Sequence, residues 1–272
     1  MSTALHGGVL VIAVAAREAR VVAALGRRAL SVQFRRAQLL MPTFVLPLLL
    51  LAVIASGTSA GRNLKDFPDV SSYLGFVVAG TLLQGALLAG LTAGIALASD
   101  IEGGFFDRLL AAPVRRSSLV FGRLAGTLGL AVLQMTWFLL VALLFGASYP
   151  GGVLGAAGAA VLAALTAVGI GGLACAIAIR TGSMNLMQSI FPLVFVLLFT
   201  APAFFPRDLL TPTLHDLSAY NPLTYVVEGA RGLLQDDAGL GDPWLGLAAA
   251  VGLAIFSTAL ATLALRDRAR RT

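Results

Sequence analysis

Residues Ser99–Gly122 read SDIEGGFFDRLLAAPVRRSSLVFG and form the longest charged interruption in an otherwise apolar chain. Long uncharged runs flank the segment, so it sits in water between two membrane spans. Its own pattern is that of a short helix. Phe105, Leu109 and Ala112 recur at i, i+4 and i+7, with Asp107 and Arg108 turned away from them. Gly103-Gly104 loosens the chain ahead of this helix, and Pro113 stops it. Ser117 or Ser118 then caps the next helix, which is expected to begin at Leu119. A rigid, half-apolar helix held outside the bilayer by two spans suits the docking of a soluble partner. An ordinary cytoplasmic loop with some helix in it fits the spacing as well, and both readings stand.

The surrounding composition fixes the class. Hydrophobic residues make up 58% of the 272 and charged residues 12%, with a mean hydropathy of +0.90, which is not the make-up of a soluble globular domain. Uncharged runs of about eighteen or more residues recur, each enough to cross a hydrocarbon core roughly 30 Å thick. Six spans are expected in an all-α polytopic fold, near residues 39–56, 73–98, 124–146, 153–179, 186–205 and 244–265. The first carries Pro42 and Pro47, and the fifth carries Pro192 and Pro202. In the second, Gly90 and Gly94 stand four apart, a pattern that lets helices approach closely. A polar loop covers 57–72, a turn at 147–152 divides a run too long for one crossing, and 181–185 is a short hydrophilic hinge.

Residues 1–38 do not read as a signal peptide, because the apolar run Val9–Ala16 is short, has no basic residue ahead of it and meets Arg17. On a helical wheel Arg17, Arg20, Arg27, Arg28 and Arg35 fall within an arc of roughly 100°. The segment is therefore expected to be an amphipathic interfacial helix ahead of a six-helix domain at 39–272, its arginines towards lipid headgroups and water. Packing on a soluble partner is the rival reading. Between spans five and six, Asn221 before Pro222 signals a helix start. Leu223, Val226, Val227, Ala230, Leu233 and Leu234 make an apolar stripe there, and Thr224, Glu228, Arg231 and Gln235 a polar one. This predicts a helix along the outer surface or dipping partly into the membrane, with Glu228 and Arg231 as a solvated pair.

Six spans put both ends, 99–123 and 180–185 on one side. Lys and Arg divide 15 to 4 in favour of that side, so the positive-inside rule places both ends and the Ser99–Gly122 segment in the cytoplasm. Lipid and topology account for the formal charge of +6, and no nucleic-acid partner is implied.

Glu102-Gly103-Gly104, Arg108-Leu109-Leu110, Pro113-Val114 and Gly122-Arg123 resemble the first cytoplasmic loop of ABC-2 type transport permeases, with Gly104 where Thr is common and Arg123 where Lys is common. Asn221-Pro222-Leu223-Thr224, followed by Glu228-Gly229-Ala230-Arg231-Gly232-Leu233, is similar to the segment before the last span in drug-exporter-like members. With the hydropathy pattern, the resemblance covers nearly the whole chain. It implies a permease in a bacterial plasma membrane that exports hydrophobic or amphipathic cargo such as drugs, lipids or lipid-linked glycans. It also implies a separate ABC ATPase in two copies and a second permease, identical or paralogous. The loop helix would then be a coupling helix. Phe105 and Leu109 would dock it, Glu102, Asp107, Arg108, Arg115 and Arg116 would set charge complementarity, and Gly103, Gly104 and Pro113 would bound it.

The chemistry that is missing points the same way. The one lysine, Lys65, lies outside any Gly-x4-Gly-Lys-Ser/Thr pattern, and no such pattern occurs. The chain is therefore not expected to be an enzyme or to bind a cofactor, and ATP and Mg²⁺ belong on the partner subunit. No acidic, basic or histidine residue lies well inside a proposed span, which weighs against an ion-coupled secondary carrier. That carrier stays as an alternative because carbonyls alone can hold Na⁺, as does a non-transporting scaffold or immunity protein. Cys175 is alone in an apolar run, and His6 and His215 are far apart, so neither a disulfide framework nor a zinc or iron site is expected. Thr81, Gln84, Gln134, Phe138 and Phe195 are the candidates for a substrate path. Interhelical hydrogen bonds are the default for the polar three, and core or lipid contact for the aromatic pair.

Overall fold

The computed structural model describes residues 2–35, 37–57, 68, 70, 72–111 and 115–271, and no strand occurs among them. In chain order the helices are α1 (Ser2–Arg35), α2 (Ala37–Gly57), α3 (Tyr73–Glu102), α4 (Phe105–Leu110), α5 (Arg116–Leu144), α6 (Gly152–Thr181), α7 (Met184–Ser189), α8 (Phe191–Thr200), α9 (Pro212–Tyr220), α10 (Pro222–Gln235) and α11 (Pro243–Arg271). Among the described residues, α3, α5, α6 and α11 are each long and apolar enough to cross a membrane. The pair Ala16–Arg35 and Leu40–Ser56, bent by 74°, adds a fifth if taken as one span. Met184–Thr200 is a shorter apolar stretch. The chain is a multi-pass membrane protein.

α3 is the centre. Ser72 caps its first turn, accepting from the Gly75 N–H at 3.2 Å, and nearly every residue from Tyr73 to Ala98 is buried. α6, α2, α5 and α10 pack around it. A Cβ at Gly90 would sit 2.7 Å from Ile170 Cβ, and one at Gly94 2.6 Å from Ala174 Cβ. The glycine spacing is thus the seam between α3 and α6. The outer surface is apolar, with Leu128, Val132 and Leu140 of α5 and Ile255, Phe256 and Leu263 of α11 exposed, as befits a molecule whose solvent is lipid. From residue 16 on, α1 lies along α5. Leu25 fills the space beside Gly122 and Ala29 that beside Gly126, while Arg17, Arg20, Arg27 and Arg35 are exposed.

Several expected boundaries move. α3 continues past Ala98 to Glu102. α5 begins at Arg116 rather than Leu119, and Ser118 donates to Glu18 of α1 instead of capping the helix. The fifth apolar stretch, expected at 186–205, breaks at Ile190 and ends at Thr200. Pro192 has no N–H to close a helical bond across the break, and Pro202 lies in a buried turn rather than a helix. Ala112, Pro113 and Val114 fall outside the described residues, as do Arg62 and Lys65 in the expected 57–72 loop.

α10 departs furthest from its pattern. Asn221 caps it as expected, accepting from the Leu223 N–H at 3.0 Å, and its amide donates to Thr200 Oγ1 at 3.0 Å at the end of α8. The polar stripe, however, turns inward. Thr224 and Gln235 are buried, and Arg231 is only 2% exposed. Arg231 donates to Ala203 O at 2.7 Å and stacks on the Phe76 ring at 4.0 Å. The solvated Glu228–Arg231 pair is replaced by this bond, because the irregular turn after α8 leaves the Ala203 carbonyl without a helical donor. Burial pulls the Arg231 guanidinium below its ordinary value, with Glu228 and Tyr73 pulling it back. Burial also raises the Glu228 carboxyl, opposed by Arg231 and Arg207.

Overpacking the seam through Gly90→Leu or Gly94→Leu is expected to cost about 1–3 kcal/mol, seen as a lower thermal unfolding midpoint in detergent. Gly252→Ala, at a site with nothing within 4 Å, leaves the midpoint unchanged or raises it. Arg231→Met strips the Ala203 carbonyl of its donor and should cost about 1–3 kcal/mol in the same measurement. Arg231→Lys recovers only part of that loss, since an ammonium does not stack flat on a ring. An unchanged midpoint for Arg231→Met contradicts the buried anchor.

Candidate functional site

α3 has thirty residues, which at helical rise is roughly 45 Å, about 15 Å more than a hydrocarbon core of ~30 Å. The excess carries Asp100 and Glu102 clear of the apolar layer. There Gly104, in the left-handed region at φ 66°, turns the chain into α4. Phe106 is the buried anchor of α4. Phe105 lies under the Arg28 guanidinium, 3.7 Å from its ring centroid, and Leu109 is half-buried against the core.

Charged groups tie this corner to its neighbours. Asp107 reaches Arg268 of α11 at 3.5 Å, and Arg268 also donates to Ile179 O of α6 at 3.2 Å. Asp100 pairs with Arg123 of α5 and lies 3.9 Å from Arg28 of α1. Glu18 of α1 is 3.4 Å from Arg115. Glu102 Oε1 accepts the N–H of Met184, the first residue of α7, at 2.7 Å. Asp107, Arg108, Arg115 and Arg116 remain exposed, as does Gly103. Of the residues expected to act in coupling, Glu102 at the end of α3 thus bonds to α7 and Asp107 of α4 to α11.

The path candidates do not converge. Thr81 and Gln84 of α3 are fully buried, and the Thr81 hydroxyl and both amide atoms of Gln84 have no hydrogen-bond partner among the described residues. Gln134 of α5 donates to Thr43 Oγ1 at 2.8 Å. Phe138 is buried 6.4 Å from the Phe44 ring, and Phe195 sits between Phe191 and Phe199 at 5.6 and 6.5 Å. A cavity of about 400 Å³ lies between α2, α3 and the α7–α8 pair, lined by Thr43, Leu88, Thr92, Gln188, Phe191 and others. Gln134 holds its Thr43 wall from behind, while Thr81, Gln84, Phe138 and Phe195 lie off it. Among the described residues no group of three His, Cys, Asp or Glu side chains could hold a metal.

Sequence reasoning missed Glu18, Arg28, Asp100, Arg268 and Gln188. Glu18 and Asp100 carried a usable signal, being acidic residues among the arginines of one side, where internal pairing is favoured. Gln188 carried a weaker one as a polar residue just inside the fifth apolar stretch.

The family described as ABC-2 type transporter matches residues 20–234, a range that includes α4, the cavity and most of α10. A protein named as a transport permease, ycf38, from Porphyra purpurea is 30% identical over 200 residues, covering 73% of this chain and 68% of its own length. The daunorubicin resistance ABC transporter permease protein DrrB1 of Streptomyces coeruleorubidus is 24% identical over 191 residues, covering 70% of this chain and 68% of its own. Permeases of this family are membrane subunits that work with separate ABC ATPase partners. With its apolar helices, its charged corner at α4 and this match over most of its length, the chain belongs to the ABC-2 type transporter family and is a transport permease.

Proposed function

We propose that the chain is the permease subunit of an ATP-driven exporter in a bacterial plasma membrane, with both ends in the cytoplasm. It works as one of two permeases, identical or paralogous, with two ATPase subunits that hold ATP and Mg²⁺, while it binds no cofactor and hydrolyses nothing itself. Six crossings are made by α2, α3, α5, α6, α7 with α8, and α11. The α7–α8 stretch, Met184–Thr200, is at the short limit of about 17 residues for a span. The buried turn that follows supports its reaching the far side, where α9 and α10 form the extracytoplasmic cap around Asn221, Pro222, Glu228 and Arg231.

The observation that carries this reading is α4, presented at the end of α3 with a charged outer edge, its Asp107 paired with α11 and Glu102 just ahead of it bonded to α7. Phe105 and Leu109, half-covered, are the apolar part of the docking face. Glu102, Gly103, Gly104, Asp107, Arg108, Pro113, Arg115 and Arg116 set its shape and charge. The cavity beside α8 is the nearest space for cargo, and Thr81, Gln84, Gln134, Phe138 and Phe195 line the path once the spans part. The unpaired amide of Gln84 supports this, since a buried amide without a partner costs about 1–3 kcal/mol and is relieved by a polar group of the cargo. The cargo is hydrophobic or amphipathic, a drug, lipid or lipid-linked glycan. The similarity to a daunorubicin resistance permease supports the first of these.

Leu109→Asp and Arg108→Glu are each expected to lower transport and coupled ATPase activity by about thirtyfold, the ~2 kcal/mol of a hot-spot contact, with the protein still inserted. Vesicle transport with and without the ATPase measures this, and unchanged transport by both variants removes the coupling claim.

A further inference from the structure

Two features that the transport reading does not use meet at the end of α1. One is a shallow basic groove lined by Ala24, Arg27, Arg28, Ser31, Val32 and Arg35. Arg27 and Arg35 are exposed and have no acidic partner among the described residues. Arg28 shares Asp100 at 3.9 Å and keeps 39% of its side chain exposed. The other is an apolar cleft of about 1030 Å³ between α2 and α5, lined by Phe34, Met41, Val45, Leu49, Trp137, Phe145 and others. Phe34 lines the cleft and Arg35 the groove, successive residues of the last turn of α1, so both surfaces reach that end of the helix.

A basic groove alone suits any anion, and an apolar cleft in a membrane suits any hydrocarbon. Side by side they suit one class of molecule, an amphiphile with an anionic head and acyl tails. The cleft follows α2 from Met41 to Ser56, roughly 22 Å at helical rise, which exceeds the ~15 Å of hydrocarbon in one leaflet. We propose that this is a site for one anionic phospholipid, its phosphate held by Arg27, Arg28 and Arg35 and its acyl chains seated in the α2–α5 cleft. Its leaflet, the cytoplasmic one, rests on the orientation given under the proposed function, but the site does not. Arg28 also covers Phe105 of α4. The headgroup and the coupling helix therefore share one guanidinium, and lipid in the groove draws Arg28 away from Asp100 and Phe105.

The chain has two tryptophans, of which Trp137 lines the cleft and Trp244 is exposed on α11. In the full chain carrying Trp244→Phe, Trp137 fluorescence reports what occupies the cleft. In phosphatidylcholine bilayers, brominated phosphatidylglycerol should quench Trp137 with a relative binding constant about fivefold or more above that of brominated phosphatidylcholine, the factor that one basic residue confers at an anionic surface. Arg27→Gln with Arg35→Gln should bring the ratio close to one, and Arg27→Lys with Arg35→Lys should keep it. A ratio of one without either arginine changed, the behaviour of ordinary annular lipid, overturns the proposal and depends on no arginine variant folding. Survival of the preference in the glutamine variant overturns it as well. So does absence of quenching by both lipids, the outcome when a second copy of the chain fills the cleft.

Discussion

Helix α3 is longer than the bilayer is thick, and the rest of the molecule depends on that excess. Buried on all sides through its apolar length, it has no free face with which to lie down in the membrane. A tilt of about 20°, the average for spanning helices, shortens its reach by under a tenth. The surplus falls at the last turn, where Asp100 and Glu102 are charged, and Gly104 turns the chain from there into α4. Charged residues of α1, α5 and α11 meet that last turn and α4, where Asp100 pairs with Arg28 and Arg123 and Asp107 with Arg268. The fold of the spans thus creates the candidate site as a by-product of length.

The two ends of the bundle are held in different ways. Around α4 most bonds are ion pairs with partly exposed partners, such as Asp107–Arg268 and Glu18–Arg115, beside the largely buried Asp100–Arg123 pair. Partly exposed pairs contribute about 0–1 kcal/mol each and are readily exchanged. At the opposite end one buried arginine, Arg231, joins α10 to α3 and to the turn after α8 through a carbonyl and a ring. Removing a buried charged donor costs more than breaking a surface pair, since the groups it served stay dry. The polar bonds at the α4 end are thus mostly exposed to exchange, while the one at the α10 end is sealed.

Much of this was legible in the sequence, and the reasons for the rest are physical. Hydropathy located α2, α3, α5, α6 and α11 because apolar length is what a bilayer demands. The start of α5 differs for another reason: Ser117 and Ser118 look like caps, but Ser118 is already helical and spends its hydroxyl on Glu18 of α1. A cap signal in sequence does not say whether a long-range partner has claimed the same hydroxyl. Hydropathy drew the fifth stretch as one helix, although Pro192 and Pro202 were visible and each withholds a backbone donor. The two-sided pattern of α10 was read correctly, but periodicity says only that two faces differ. It does not say what covers the polar one, and here that cover is Phe76 and the Ala203 carbonyl. The α4 segment stands out in the sequence because a charged loop between spans is conspicuous. The arginines that meet this corner, Arg28 and Arg268, come from distant parts of the chain, and pairing at that range leaves no local signature. A polar residue inside a span looks the same in sequence whether it faces a cavity, as Thr92 does, or is sealed in the core like Gln84.

The account turns on α4 facing the cytoplasm and meeting an ATPase there. A cysteine at position 108, in a chain whose one native cysteine is replaced by Cys175→Ser, tests this with a membrane-impermeant maleimide. Labelling in inverted vesicles but not in right-side-out ones, and protection when the cognate ATPase is bound, is the predicted result. Labelling from the outer face, or labelling that the ATPase leaves unchanged, contradicts the account.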